Sequence, residues 1–188
     1  MNEIEKAIKA LERGEIIVYP TDTLYAIGAN IFDEKAISKV YKIKKRPLNA
    51  PLSITVSSID EIGKFAEMNE IAYKIAKKFL PGKLTIVLKK KDIIPSYISK
   101  DKIAIRVPKN KIALKLAQKF PITATSANLH TGEEPRNIHI ARKQLGKNIY
   151  MYIDAGELPG IPSTIVDLSE GKIKILREGA IKKEELYV

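Results

Sequence analysis

The chain has 188 residues, of which 45% are hydrophobic and 29% are charged, so it is long and apolar enough to bury a core. Its formal net charge of +11 at pH 7 suggests a polyanionic partner, although the Lys- and Glu-rich composition of heat-adapted proteins explains the same charge. The absence of Cys excludes disulfides, a thiolate nucleophile and cysteine-ligated metals, and no apolar run approaches the roughly 20 residues of a membrane helix.

The first part of the chain alternates helix and strand patterns. Apolar residues recur at helical spacing from Ile4 to Leu11, ahead of Gly14. Acidic residues in this segment argue against a signal peptide, so a cytoplasmic location is expected. The run EIIVYP predicts a buried strand, and Asp33 is placed to cap a second helix that ends before Pro47.

The rest of the chain continues this alternation with PLSITVSS as a strand and helical patterns through Phe65 and from about Ile71 to Phe79. LTIVLKK and KIAIRVP predict strands, and Asn110 caps the next helix. PITATSAN predicts one strand running into a loop and a helix. The runs YMYIDAG, STIVDLS and KIKILREG are strand-like and precede a short closing helix.

These elements predict a single α/β domain over residues 1–188. The late strands follow one another without helices between them, which disfavours a purely parallel sheet. A twisted, mixed open sheet with flanking helices fits better.

Several common chemistries are excluded by the motifs that the chain lacks. It has neither G-x-x-x-x-G-K-[ST] nor G-x-G-x-x-G, the two widespread phosphate-binding loops. His130 and His139 lie in a loop and its following helix, and no nucleophile-elbow pattern supports a Ser/His/Asp triad. No protein metal site is expected.

What remains is a set of polar residues at strand ends, where open α/β sheets collect ligands. They are Thr21, Asp22, Thr23, Tyr25, Lys44, Lys45, Arg46, Arg106, Ser126, Asn128, Ser163, Thr164 and Arg177. Basic, hydroxyl and amide groups together suit a phosphorylated or carboxylated small molecule. Each also has a structural alternative: the Lys44–Arg46 run suits a helix C-terminus, Arg106 suits a structural carboxylate, and Ser126 suits a turn.

The order of these segments resembles the YrdC-like family. YPTDTLYAIGAN, residues 19–30, is similar to its P-T-[DE]-T-x-Y-G-[LI]-G signature, and IKKRPLNAPLSI is similar to its K-x-R-P-x-x-x-P-L segment. PGKLTIVL, IAIRVP, TSANLHTGEEP, DAGELPGIPSTIVD and ILREGAI follow in the family's order. The resemblance covers nearly the whole chain and favours a site wall over a plain turn at residues 19–30.

The resemblance implies a YrdC-like fold with a basic concave face and the activity of an L-threonylcarbamoyladenylate synthase. Such enzymes are nucleotidyltransferases that form threonylcarbamoyl-AMP and pyrophosphate from L-threonine, bicarbonate and ATP. Their product modifies tRNA through a downstream transferase. Mg²⁺ would accompany ATP without a dedicated protein site, and tRNA or another double-stranded RNA is an expected partner of the basic face. The chain resembles the short, single-domain branch.

Carried over position by position, the resemblance places Thr23, Tyr25, Arg106 and Ser163 on the threonine side of the site. The ATP side would hold Lys44, Arg46, Lys102, Ser126, Asn128 and Arg177. Lys44 and Arg46 would be the catalytic pair, at a solvent-reachable strand end. Arg106 would meet the threonine carboxylate, because a planar guanidinium can donate two parallel hydrogen bonds.

Three positions depart from the family pattern. Ala26 replaces a usual Gly, which makes a positive φ less accessible there. Ala50 replaces a common Asn and removes one ATP contact, and Thr55 stands where some members have His. Two alternatives therefore stay open: an RNA-binding module without turnover, which the scarcity of aromatic residues disfavours, and a paralogous YrdC-like branch with another acceptor.

Overall fold

Ten strands form two mixed sheets in the computed structural model of the chain, which describes residues 2–187. In chain order they are β1 Ile17–Pro20, β2 Tyr25–Gly28, β3 Ser53–Thr55, β4 Leu84–Lys89, β5 Lys102–Arg106, β6 Ile122–Thr123, β7 Thr125–Ser126, β8 Met151–Tyr152, β9 Thr164–Asp167 and β10 Lys174–Arg177. The small sheet has the order β7-β2-β1-β8, and the large sheet has the order β10-β9-β4-β5-β3-β6. Both contain parallel and antiparallel pairs, which confirms the mixed α/β prediction.

The helices between them are α1 Glu3–Glu12, α2 Glu34–Lys44, α3 Ile59–Phe65, α4 Glu70–Phe79, α5 Lys111–Leu116, α6 Ile138–Leu145 and α7 Lys183–Leu186, with a 3-10 turn at Gly146–Asn148. Five of them start after an Asn or Asp side chain that accepts a hydrogen bond from the first turn: Asn2, Asp33, Asn69, Asn110 and Asn137. The predicted caps Asp33 and Asn110 are confirmed. Within residues 2–187, no helix has the length and apolar character that a membrane span requires.

The predicted strand PITATSAN is divided between the two sheets. β6 pairs with β3 in the large sheet, whereas β7 pairs with β2 in the small sheet. Ala124 joins them and donates its N–H to the Ser53 carbonyl at 2.8 Å. The chain therefore crosses from one sheet to the other at Ala124, and this crossing places the two sheets around a common cavity.

The large sheet has one apolar face and one polar face because its residues alternate along each strand. Ile54, Ile86, Ile103, Ile105 and Val166 are buried in the main core. The residues between them in sequence face the other way, and the strand registers set these in rows: Ser53 beside Ala104, Ala104 beside Val87, and Val87 beside Asp167. The second face is therefore available to line a site.

Helices α1 and α5 cover the small sheet through a second apolar cluster. Ala7, Leu11 and Leu116 pack there with Ile17 and Tyr19 of β1. Burial of these side chains stabilises the small sheet by roughly 1.5–3 kcal/mol for each large one. This packing fixes the base of the β1–β2 hairpin, whose connecting loop reaches toward the large sheet.

Candidate functional site

A cavity of about 470 Å³ lies between the polar face of the large sheet and the β1–β2 hairpin. This volume falls within the roughly 300–1,000 Å³ of small-molecule sites. Its walls are Thr23, Leu24, Tyr25, Ala26, Arg46, Pro51, Ser53, Thr85, Val87, Ser99, Lys102, Ala104, Arg106, Ala124, Thr125, Ser126, Glu134, Pro162, Ser163, Ile165, Asp167, Leu176 and Arg177. Basic side chains outnumber acidic ones, so the cavity suits an anion.

Eight of the ten residues predicted for the site line this cavity. They are Thr23, Tyr25, Arg46, Lys102, Arg106, Ser126, Ser163 and Arg177. Residues far apart in sequence, from Thr23 to Arg177, thus meet around one space. The other two, Lys44 and Asn128, are buried behind Ser126.

Arg106 is the most deeply buried charge at the cavity, with a side chain only 7% exposed. Its Nη2 donates to Asp22 Oδ1 at 2.8 Å and its Nη1 donates to Thr23 Oγ1 at 3.1 Å. Nε is buried and has no hydrogen-bond partner within the described residues. Burial lowers the pKa of Arg106, and the charge of Asp22 opposes that effect. The structure therefore gives Arg106 a protein carboxylate and leaves its Nε without a protein acceptor.

The hydroxyl groups near Arg106 form short hydrogen-bonded pairs. Thr23 Oγ1 lies 3.0 Å from Thr21 Oγ1, and Ser163 Oγ lies 2.8 Å from Thr85 Oγ1. Tyr25 lines the cavity without offering a free hydroxyl. Its Oη donates to the Gly156 carbonyl and accepts from the Ala155 N–H, both at 2.8 Å. Tyr25 thus shapes the wall and anchors the loop after β8.

Three further basic side chains line the cavity. Arg46 Nη2 donates to the Pro51 carbonyl at 3.0 Å, and Arg177 Nη2 donates to the Ser163 carbonyl at 2.8 Å. Lys102 pairs with Asp167 at 2.9 Å, and this hydrogen bond raises the pKa of Lys102. Each side chain is held by protein oxygens and keeps donors for a ligand.

Lys44 lies away from the cavity surface, contrary to the expectation that it is solvent-reachable. It is 2% exposed, and its Nζ donates to the carbonyls of Ser126 and Asn128 and to Asn128 Oδ1. Burial, followed by the charge of Arg46, lowers the pKa of Lys44 to about 7. In this structure Lys44 holds the segment that carries Ser126.

Six polar lining residues were not singled out from the sequence: Ser53, Thr85, Ser99, Thr125, Glu134 and Asp167. Ser53, Thr85 and Asp167 were detectable from strand alternation, since each stands between residues of the apolar face. Glu134 is exposed in the loop before α6 and carried no such signal.

The three departures from the family pattern have different structural consequences. Ala26 lies in β2 without a positive φ, so the lost Gly imposes no backbone strain there. Ala50 accepts from Tyr41 Oη through its carbonyl at 2.9 Å. Thr55 is fully buried, and its Oγ1 lies 3.0 Å from Tyr19 Oη. Thr55 therefore packs in the buried layer beneath Arg106 and does not line the cavity.

Comparisons with known proteins agree on one family. The sequence profile Sua5_yciO_yrdC, described as "Telomere recombination", matches residues 9–179. A Methanocaldococcus jannaschii protein named "Putative threonylcarbamoyl-AMP synthase" is 45% identical over 95% of this chain and 86% of its own length.

Two solved structures place the same fold in proteins of different length. Pyrococcus abyssi Sua5 complexed with L-threonine superimposes with a TM-score of 0.91 at 36% identity, covering 99% of this chain and 57% of that one. Escherichia coli YciO superimposes with a TM-score of 0.89 at 28% identity, covering 97% of this chain and 92% of that one.

Proposed function

The chain belongs to the Sua5/YciO/YrdC family, and on this premise we propose that it is an L-threonylcarbamoyladenylate synthase. The observation that carries the proposal is that one cavity combines two kinds of group. It contains a buried guanidinium with an unused donor beside hydroxyl groups. It also contains three further basic side chains suited to phosphates.

Threonine would occupy the part around Arg106. Its carboxylate would accept hydrogen bonds from the Arg106 guanidinium, which lines the cavity and keeps N–H donors without protein acceptors. Thr23 and Ser163 would contact the amino acid through their hydroxyl groups, and Tyr25 would bound it. The relative from P. abyssi is described in complex with L-threonine, which supports threonine as the ligand.

MgATP would occupy the part lined by Arg46, Lys102 and Arg177, with Ser126 beside it. We propose that Lys44 and Asn128 act here by holding the Ser126 segment in place. Mg²⁺ would enter with the triphosphate, as it usually does at nucleotide sites.

The reaction needs positioning more than a protein nucleophile. The threonine amine adds to CO₂ derived from bicarbonate and releases a proton, giving a carbamate. A carbamate oxygen attacks the α-phosphorus of ATP, and the bond to pyrophosphate breaks. Arg106 would fix one anion, while Arg46 and Arg177 would stabilise charge on the other. The product would pass to a transferase that modifies tRNA in the cytoplasm.

The proposal is tested by measuring pyrophosphate release from MgATP. Release should require both L-threonine and bicarbonate, and mass spectrometry should detect threonylcarbamoyl-AMP. L-Valine, which replaces the threonine hydroxyl by a methyl group, is the matched control and should support much less release. Absence of threonine-dependent release would overturn the assignment.

The paralogous branch is a second candidate, favoured by the close superposition on E. coli YciO over 92% of that chain. An enzyme of this branch would release pyrophosphate from ATP with an acceptor other than threonine. An RNA-binding module would instead show RNA affinity that falls steeply with salt and no turnover. The same assay, run with and without threonine and RNA, separates the three.

A further inference from the structure

Arg106 owes its orientation to a carboxylate that lies outside the cavity wall. Asp22 is in the loop between β1 and β2, and its side chain is 8% exposed. Asp22 Oδ1 accepts from Arg106 Nη2 at 2.8 Å, and Oδ2 accepts from the Lys109 backbone N–H at 3.0 Å. Both oxygens are thus committed, one to the guanidinium and one to the segment after β5.

The loop that carries Asp22 is itself rigidly held. Thr21 Oγ1 accepts from the N–H groups of Thr23 and Leu24 and donates to the Leu24 carbonyl at 2.6 Å. Asn110, the cap of α5, donates to the Thr21 carbonyl at 3.4 Å. Asp22 therefore presents its carboxylate from a fixed position, and the residue that it orients faces the cavity.

This geometry commits only part of the guanidinium to the protein. Asp22 and Thr23 each accept one hydrogen bond from a terminal nitrogen, Nε has no protein acceptor, and Arg106 lines the cavity. A long arginine side chain loses considerable rotamer freedom when a ligand has to fix it, and a site that is already ordered avoids that cost during binding. The Asp22 charge also compensates Arg106 in the empty site, where an unpaired buried charge would be unfavourable.

We propose that Asp22 is a positioning residue for substrate threonine: it holds the Arg106 guanidinium in the cavity wall, where its remaining N–H donors face the amino-acid carboxylate. This inference rests on the proposed function for the identity of the ligand. Asp22 acts only through Arg106, so its effect falls on threonine and spares ATP.

The test compares Asp22→Asn with Asp22→Glu. Asp22→Asn keeps the shape but loses the charge, and it should raise KM for threonine about tenfold or more while KM for ATP stays within about twofold. Asp22→Glu restores the carboxylate, which the family signature also allows at this position, and should recover most of the threonine affinity. Asp33→Asn, at the cap of α2, is the matched control and should leave both KM values unchanged.

An NMR measurement tests the orientation independently of turnover. The chain has six arginines, and Arg106→Lys assigns the Nε–Hε signal of Arg106 in the ¹⁵N–¹H spectrum. That signal should be separate from those of exposed arginines in the wild type and should move toward them in Asp22→Asn.

An unchanged Arg106 signal in Asp22→Asn, or equal losses for threonine and ATP, would overturn the inference. If the wild type shows no threonine-dependent turnover, the proposed function fails instead, and the NMR comparison still decides whether Asp22 orients Arg106.

Discussion

Lys44 and Arg46 stand two positions apart in the sequence but occupy different environments. α2 ends at Lys44, and Lys45 takes a left-handed conformation with a φ of 51°, which turns the chain before Arg46. Arg46 consequently reaches the cavity, whereas Lys44 points into the protein. Lys44 and Arg46 therefore have different structural roles, which the sequence of this basic run does not distinguish.

Replacing each of these residues should separate the two functions. Arg46→Ala should weaken MgATP binding by about 1.5–3 kcal/mol, the value of a charge-assisted hydrogen bond, with little change in stability. Lys44→Met should lower the free energy of unfolding by about 1–3 kcal/mol, because buried acceptors lose their donor. Urea unfolding and ATP calorimetry on both variants measure the stability and the ATP affinity. A Lys44→Met protein of full stability would contradict the role of Lys44 in holding the Ser126 segment.

The lowered pKa of Lys44 predicts a pH-dependent stability. Lys44 has a pKa of about 7 in the folded chain and its ordinary value of 10.5 when unfolded, so between these values the unfolded chain binds the extra proton. The free energy of unfolding from this group therefore rises with pH from about 7 to 10.5, by at most ~1.4 kcal/mol per pH unit. It is constant below pH 7.

Urea unfolding at about pH 6, 8 and 10 tests the predicted direction of this change in the free energy of unfolding. The stability of the wild type relative to Lys44→Met should be constant up to about pH 7 and should increase above it. Parallel stability curves for the two proteins would show that Lys44 keeps an ordinary pKa in the fold.

Arg106 offers a sharper test of the threonine site. Arg106→Lys keeps the charge beside Asp22 but loses the planar fork, so threonine affinity should fall by about 1.5–3 kcal/mol, roughly ten- to a hundred-fold. ATP affinity without threonine should change little. Calorimetry with each ligand, together with a melting curve, measures both effects. Equal losses for both ligands accompanied by a lower melting temperature would identify Arg106 as structural only.

At the scale of elements, the sequence predicted the helices and most strands because their signals are local. Caps such as Asp33 and the apolar runs of β1, β4 and β5 need no knowledge of the rest of the chain. The division of PITATSAN at Ala124 was not predictable, since it depends on separate pairing with β3 and β2. A structural carboxylate was one of the two partners considered for Arg106, but its identity as Asp22 was not predictable for the same reason, because the pair joins residues 84 positions apart.

The close approach between the segments flanking β9 and β10 gives a prediction for Gly179. A Cβ there would lie 2.3 Å from the Pro162 carbonyl oxygen and 2.7 Å from Ser163 C, both backbone atoms. Gly179→Ala should therefore destabilise the protein by about 1–3 kcal/mol and displace Ser163 and Arg177 enough to weaken ligand binding. Urea unfolding and ATP calorimetry measure the two effects.

Gly63→Ala is the matched control for Gly179, because a Cβ at this position in α3 meets no atom within 4 Å. It should leave ligand binding unchanged and stabilise the helix by up to about 1 kcal/mol. Equal behaviour of the two alanine variants would show that the contact at Gly179 is relaxed without consequence.

At the scale of the whole molecule, only a small part of the net charge of +11 is located at the cavity. Four basic side chains line the cavity, and two acidic ones, Glu134 and Asp167, accompany them. Most of the excess charge therefore lies elsewhere on the surface, where it is available for a polyanion such as tRNA and is screened by salt. Ligand binding in the cavity should depend on salt far less than any RNA binding.

The two substrates should stabilise the whole fold because both bind across its sheets. MgATP at about 100 times its Kd should add about 2.7 kcal/mol to the free energy of unfolding, since it binds only the folded state. For a chain of this length that corresponds to a rise in Tm of roughly 5–11 °C. L-Threonine added with MgATP should raise Tm further than the two separate shifts predict, because Arg106 and Arg177, the residues proposed to bind the two ligands, line one cavity. These Tm shifts are measured by scanning calorimetry with each ligand alone and with the two ligands together. Arg46→Ala is the control and should reduce the MgATP shift to about half or less at the same ligand concentration while keeping any threonine shift. Two outcomes would contradict a shared substrate cavity. The first is strictly additive Tm shifts, and the second is the absence of both a Tm shift and a calorimetric binding heat with MgATP.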